Sequence, residues 1–345
     1  MAQINKPDEH FNTVLYTGNG STQSITGVNF QPDWVWLKDR DNATNHMLFD
    51  SVRGTGKELH SQNTDSETTQ ANTLTAFGSD GFSLGNNTDV NNSSQNFVSW
   101  NWKAGGTASS NTDGSITSSV SVNQTAGISI GTFTGTASVG TVGHGLNAVP
   151  SMIINRTITA AKDWMTYHHK NTSAPQTDYL ALNSTNATAD FEDVWNDTDP
   201  TSSLFTIGDS SQNNTGSGTS IFYAFAEKKG FSRFGSFQGN GSNDGSYIHL
   251  GFKPAFLIIR RTDDGDNWVM FDNKRNEFNL TDKRLYPNSN AAEATASSVS
   301  LDLLSNGFKL RGTDSQINNA SGSYIYMAFA EAPFVTSTGI PTTAR

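Results

Sequence analysis

One pattern occurs three times along the chain, and it limits the possible folds more than any single motif. An aromatic-x-Gly opening stands at Tyr16-Thr17-Gly18, Phe133-Thr134-Gly135 and Phe237-Gln238-Gly239. Sixteen or seventeen residues later a proline leads an apolar run: Pro32 to Lys38, Pro150 to Arg156 and Pro254 to Arg260, each ending in a cation six positions after its proline. Fourteen residues after the prolines stand His46, Trp164 and Trp268, and three further on stand Phe49, Tyr167 and Phe271. The closing segments place Trp102, Phe225 and Phe329 at equivalent positions. Internal repetition of this kind sets the organisation of a chain before any motif is considered. It divides the sequence into an N-terminal arm (1–10), repeat 1 (11–104), a Gly/Ser/Thr-rich linker (105–126), repeat 2 (127–230), repeat 3 (231–335) and a C-terminal arm (336–345). The period exceeds that of the common solenoids, so each repeat is expected to hold its own core rather than share one, with repeat 1 mobile on its linker.

Composition selects the secondary structure. Charged residues make up only 16% of the 345, while Gly contributes 31 and the polar set is mostly Asn, Ser and Thr, so helix formers are scarce and turn formers abundant. Solidly apolar runs such as Tyr324 to Phe329 and Phe256 to Ile259 read as strands covered on both faces or lying at a domain contact. The predicted fold class is all-β: three consecutive antiparallel β-sandwich repeats of jelly-roll or lectin-like type.

Several function classes are disfavoured at once. A net charge of −10 is wrong for a nucleic-acid binder built on a basic face. With no cysteine there are no disulfides, thiolate metal sites or Cys nucleophiles. No stretch reaches the 18 or more apolar residues that cross a bilayer, and the polar start carries no signal-peptide core, so synthesis in a cytoplasm without membrane insertion is expected.

The candidate chemistry is thin. His168-His169 is the one histidine pair, but neighbours on a strand point to opposite faces and do not grip one ion. The acidic stretch Asp190, Glu192, Asp193, Asp197 and Asp199 lacks the order of a preformed calcium loop. Asp50 and Asp272 share a repeat position that repeat 2 fills with His168, and Glu227 and Glu331 recur without a partner in repeat 1, so paired carboxyls for glycoside hydrolysis are not assembled. No catalytic residue, metal ligand or cofactor is assigned. Trp195, in a polar loop away from the repeated strand positions, is the one candidate for stacking on a sugar ring.

The stretches Gly143-His144-Gly145-Leu146, Phe231 to Gly241, Gly251 to Phe256, Arg284 to Asn288, Leu304 to Gly312 and Ser323 to Phe334 resemble a family of tailed-bacteriophage virion proteins of uncharacterised domain type, common in marine phages. The resemblance implies a virion component with no established catalytic residues; the function expected from it is a tail-fibre or tail-associated protein exposed on the particle surface, to which host-surface glycan recognition could be added. Capsid decoration is the alternative, and a glycan depolymerase a lesser one. The expected partners are further copies of the chain, with a trimer as first guess built through its arms, and other virion proteins.

Overall fold

The computed structural model describes residues 3–342, whose regular secondary structure is almost entirely strand, with single helical turns at Thr88–Asn91, Glu192–Trp195 and Ser315–Asn318 and a 3-10 turn at Pro7–Glu9. The all-β sandwich reading holds. In each repeat the opening strand pairs antiparallel with the closing strand, and that strand with the proline-led one. The order is Phe11–Thr17, Asn96–Trp102, Trp34–Asp39 in repeat 1; Ile128–Thr134, Thr219–Phe225, Met152–Thr157 in repeat 2; and Ser232–Gln238, Ser323–Pro333, Phe252–Arg261 in repeat 3. A second, smaller sheet closes each sandwich, formed by Gln23–Thr26, Gly81–Leu84 and Leu74–Gly78 in repeat 1 and by Tyr247–His249, Gly307–Leu310 and Leu301–Leu304 in repeat 3. Repeat 2 has a two-stranded counterpart, Gly140–Gly143 with Leu204–Ile207.

The aromatic-x-Gly opening has a steric cause. A Cβ on Gly18 would sit 2.1 Å from the Asn92 carbonyl oxygen, one on Gly135 2.3 Å from that of Thr215, and one on Gly239 2.2 Å from that of Asn319. Only glycine lets the turn approach that backbone so closely. The same turn is pinned by a fully buried asparagine in every repeat. Asn91, Asn214 and Asn318 each accept through Oδ1 from the backbone N–H just after the glycine or beside it (Asn19, Thr136, Asn240; 2.8–2.9 Å) and donate through Nδ2 to the carbonyls of Gly85, Gly208 and Gly312.

The solidly apolar strands are explained by two different neighbours. Alternation sends Val35, Leu37, Met47 and Phe49 toward repeat 1's own second sheet, and Trp34, Trp36, Trp100 and Trp102 to the other face. Leu257 and Ile259 against Phe256 and Ile258 divide in the same way in repeat 3, as do Phe222 and Ala224 against Tyr223 and Phe225 in repeat 2. The second set of residues converges from all three repeats into one central core, in which Trp34 stacks on Tyr223 (4.4 Å between centroids) and Phe11 on Phe329 (5.4 Å). The expectation of separate cores is therefore half right. Each repeat has its own small core, and the largest core is common to all three, with repeat 1 packed into it as fully as the others.

The stretch 105–126 also departs from its reading as a linker. Ser109–Asn111 and Ser118–Asn123 are strands, and the second pairs antiparallel with the opening strand of repeat 2 from Ile128 to Phe133. Its Val120 and Ile116 are buried on the repeat 2 core, which a Ser/Thr-dominated composition conceals. The described parts of the two arms lie on one another and on the body. Asn5 and Ser337 exchange hydrogen bonds of 2.8 and 2.9 Å, the Gln3 side chain donates to the Val335 carbonyl, and Ile4 is buried with its N–H on the Lys229 carbonyl.

Candidate functional site

The polar positions that recur in the repeats meet each other at the seams of the three-part ring. Asp50 of repeat 1 is fully buried, paired with Arg53 at 2.6 Å, and accepts from the Tyr223 hydroxyl of repeat 2 at 2.8 Å. Asp272 of repeat 3 is equally buried, paired with Arg275 at 2.5 Å, and accepts from the Trp100 indole of repeat 1 at 3.1 Å. At the third seam the equivalent residue is His168, whose Nε2 faces the Tyr326 carbonyl of repeat 3 at 3.2 Å while its Nδ1 accepts from the Lys170 N–H at 3.1 Å. Those two contacts select the neutral Nε2–H tautomer, and burial, with the neighbouring His169 ring, pushes the His168 pKa down to about 3.

A second set of contacts runs the opposite way round, from each repeat to the one before it. The Trp164 indole of repeat 2 donates to the His60 carbonyl of repeat 1 (2.8 Å), and the Trp268 indole of repeat 3 to the Ala181 carbonyl of repeat 2 (3.1 Å). In repeat 1 the position is His46, fully buried, with its Nδ1 accepting from the Trp36 indole of its own repeat at 2.9 Å and its pKa held well below the ordinary value by burial. The strand-end cations follow suit. Arg156 donates to the carbonyls of Asn63, Thr64 and Asp65 across one seam, and Arg260 to those of Thr185 and Asn186 across the next. Both are fully buried rather than exposed strand-end charges, and burial lowers each guanidinium to about 10. Lys38 turns instead to carbonyls of its own repeat, Asp39 and Asn42, and burial lowers its pKa to about 8. The seam it leaves is closed by Arg40, bidentate to Glu293 of repeat 3 at 2.8 and 3.0 Å.

Trp195, the candidate for sugar stacking, is not on the surface. It is 2% exposed and packs edge-on against Tyr167 at 6.1 Å inside the repeat 2 core. Its polar surroundings mislead because Glu192–Trp195 forms one helical turn that presents Glu192 and Asp193 outward and folds Val194 and Trp195 in. His168 and His169 bond separate carbonyls, those of Tyr326 and Phe234, and among the described residues no group of three or more His, Asp or Glu side chains is placed to hold a metal ion. Asp50 and Asp272 are structural acceptors. Of the recurring carboxylates only Glu227 and Glu331 reach solvent.

Glu331 leads to a feature that the repeat pattern does not contain. A depression of about 580 Å³ lies on repeat 3, lined by Lys253, Asn273, Phe278, Asn279, Leu303 and Glu331 among others. The Lys253 ammonium sits 2.6 Å from Glu331, and Asn273 donates to the same carboxylate oxygen at 2.8 Å. Phe278, on the loop after Asp272, is 74% exposed, the most exposed large apolar side chain among the described residues. That loop runs eleven positions from Asp272 to Lys283, where repeat 1 needs seven from Asp50 to Lys57. The signal that would have found it is this length difference, visible only once the strands after Asp50 and Asp272 are aligned.

No curated protein matches the sequence. Residues 6–333 match the model of a domain of unknown function, DUF7483, which takes in all three repeats, the inserted strands of 105–126 and the ring they close, so the chain belongs to the DUF7483 family.

Proposed function

We propose that the chain is a non-catalytic structural protein displayed on the surface of a tailed-bacteriophage particle, a tail-fibre or tail-associated component whose exposed loops make surface contacts. The observation that carries the reading is where the recurring polar groups are. Asp50, Asp272, Arg156, Arg260 and His168, the residues from which an active site would first be sought, all hold one repeat to the next. A scaffold that closes three sandwiches on one core, with a cysteine-free and largely neutral-polar surface, suits a part that must keep its shape outside a cell. The sequence resemblance to virion proteins supplies the placement on a particle. Assembly of several copies, a trimer first, belongs to the same proposal and is read from sedimentation mass.

The test is mass spectrometry of purified particles combined with electron microscopy of particles labelled by an antibody to the exposed loops. Label at the tail is the expected result, and label at the capsid selects decoration instead. A protein found only in the host lysate and never on particles overturns the reading.

A further inference from the structure

We propose that the depression on repeat 3 is a binding site for a neutral pyranose sugar, with Phe278 as the stacking platform and Glu331, Asn273 and Lys253 as the hydrogen-bonding side. The proposal rests on, and deepens, the surface-contact part of the function proposed above.

The loop that carries Phe278 is built rather than slack. Asn279 donates to the Leu303 carbonyl at 3.0 Å and accepts from the Leu303 N–H at 2.9 Å, tying the loop to the second sheet as a strand would. Asn276 accepts from the backbone N–H groups of Asp282 and Lys283 at 3.3 and 2.9 Å. Two side chains thus fix a loop whose tip is an aromatic ring in water, although an exposed phenyl contributes nothing to folding. An aromatic ring carried on a fixed loop beside a depression of this size, within the roughly 300–1,000 Å³ of ordinary small-ligand sites, offers a platform for an apolar ligand face.

The polar side selects the ligand's charge. Lys253 and Glu331 are 2.6 Å apart and neutralise one another, while the exposed Glu277 adds a second carboxylate to the same lining, so the site offers an ammonium, two carboxylates and an amide with an excess of negative charge that disfavours an anionic ligand. An anionic ligand would face Glu331 and Glu277, and a cationic one the Lys253 ammonium. A neutral polyhydroxyl ring has one C–H face suited to Phe278 and hydroxyls that both donate and accept, which suits the mixed charged and amide groups on the other side of the lining.

Saturation-transfer NMR on the full chain with the methyl glycosides of glucose, galactose, mannose and N-acetylglucosamine at millimolar concentration, and with sialic acid as the charged comparator, tests it. At least one neutral glycoside should receive transfer through its ring C–H protons, weakened at least tenfold by Phe278→Ala and by Glu331→Ala, retained in Phe278→Tyr, and unchanged in Phe191→Ala, which removes an exposed ring elsewhere. Both target side chains reach solvent, so the fold tolerates their loss. No transfer to any neutral glycoside, transfer that survives Phe278→Ala, or stronger binding of sialic acid overturns the site. A failure here with label present on particles removes the sugar site alone, whereas sugar binding without particle label removes only the virion placement.

Discussion

The seams on either side of repeat 2 join the same structural positions by different chemistry. Where repeats 1 and 2 meet, a buried aspartate accepts from Tyr223, and where repeats 3 and 1 meet, a buried aspartate accepts from Trp100. Where repeats 2 and 3 meet, the position opposite is Met327, which has no proton to give, and the aspartate is replaced by His168, itself a donor, bonded to the Tyr326 carbonyl. The residue three further on changes in step. Arg53 and Arg275 accompany the two aspartates, and Asn171 accompanies the histidine. A buried carboxylate is tolerated only with a cation and donors around it, so the three positions can change only as a set. The difference shows that the repeats are not interchangeable: each is fitted to the neighbour on one particular side, which gives the ring a unique order.

The largest effect expected from this comparison comes from removing one member of a charged set. Asp272→Ala leaves the buried Arg275 guanidinium with only Glu293, 3.3 Å away, as its carboxylate and the Trp100 indole without its acceptor, and should destabilise the chain by up to about 3–5 kcal/mol. Because Trp100 belongs to repeat 1 and the core is common, the loss should appear as one shifted unfolding transition in denaturant. Two separated transitions, with repeat 1 unaffected, would show that the repeats unfold independently and that the central core contributes little cooperativity.

A milder change tests whether the donor from the next repeat matters. Tyr223→Phe and Trp100→Phe each remove the donor that crosses a seam, leaving the aspartate with its arginine but short of one hydrogen bond, at about 1–3 kcal/mol. Tyr223→Phe is the cleaner of the two because the ring and its stacking on Trp34 remain. Met327→Leu, at the equivalent position of the third seam, carries no such donor and should cost under about 1.5 kcal/mol as a volume-conserving swap. Equal effects of the tyrosine and methionine substitutions would reduce the aspartate seams to plain packing.

Most of this arrangement could be read from the sequence as position but not as partnership. The equal spacings identified Asp50, His168 and Asp272 as one site, and the strand runs as covered on both faces. What lies opposite such a residue is a non-local matter, and period-two alternation reports a face without naming its neighbour. The same gap explains the common core: Trp34 and Trp36 alternate with Val35 and Leu37 as they would over any core, their own or a shared one. Trp195 and the stretch 105–126 were hidden for a compositional reason, since a few apolar residues among Asn, Asp, Ser and Thr suffice for one helical turn or one edge strand. Phe278 lies between repeated positions, where a search for recurrence finds nothing.

The smallest expected effect separates the histidine seam from the two aspartate seams by acidity. The His168 ring is held neutral, with Nδ1 accepting the Lys170 N–H and Nε2 facing the Tyr326 carbonyl, so adding a proton at Nδ1 destroys one hydrogen bond and buries a charge beside His169. Its pKa lies near 3 in the folded chain, against about 6.5 when unfolded. Between those values the unfolded chain binds the extra proton and the folded chain does not, so stability increases with pH through this window. On acidification the loss begins near the unfolded value, grows by at most about 1.4 kcal/mol per pH unit for this residue, and stops growing below the folded value. His144, lowered to about 4 by burial, and His46, held well below its ordinary value for the same reason, add to the slope without lying on this seam. The informative variant is therefore His168→Gln, whose amide can donate to the Tyr326 carbonyl and accept from Lys170 while carrying no proton to titrate. Denaturant unfolding at neutral pH and near pH 5 should give a smaller difference in stability for the variant than for the native chain, with the two closer in acid than at neutrality. Parallel stability curves for the two proteins would mean that His168 is not the proton-sensitive element of its seam, and that the three seams respond to acid alike.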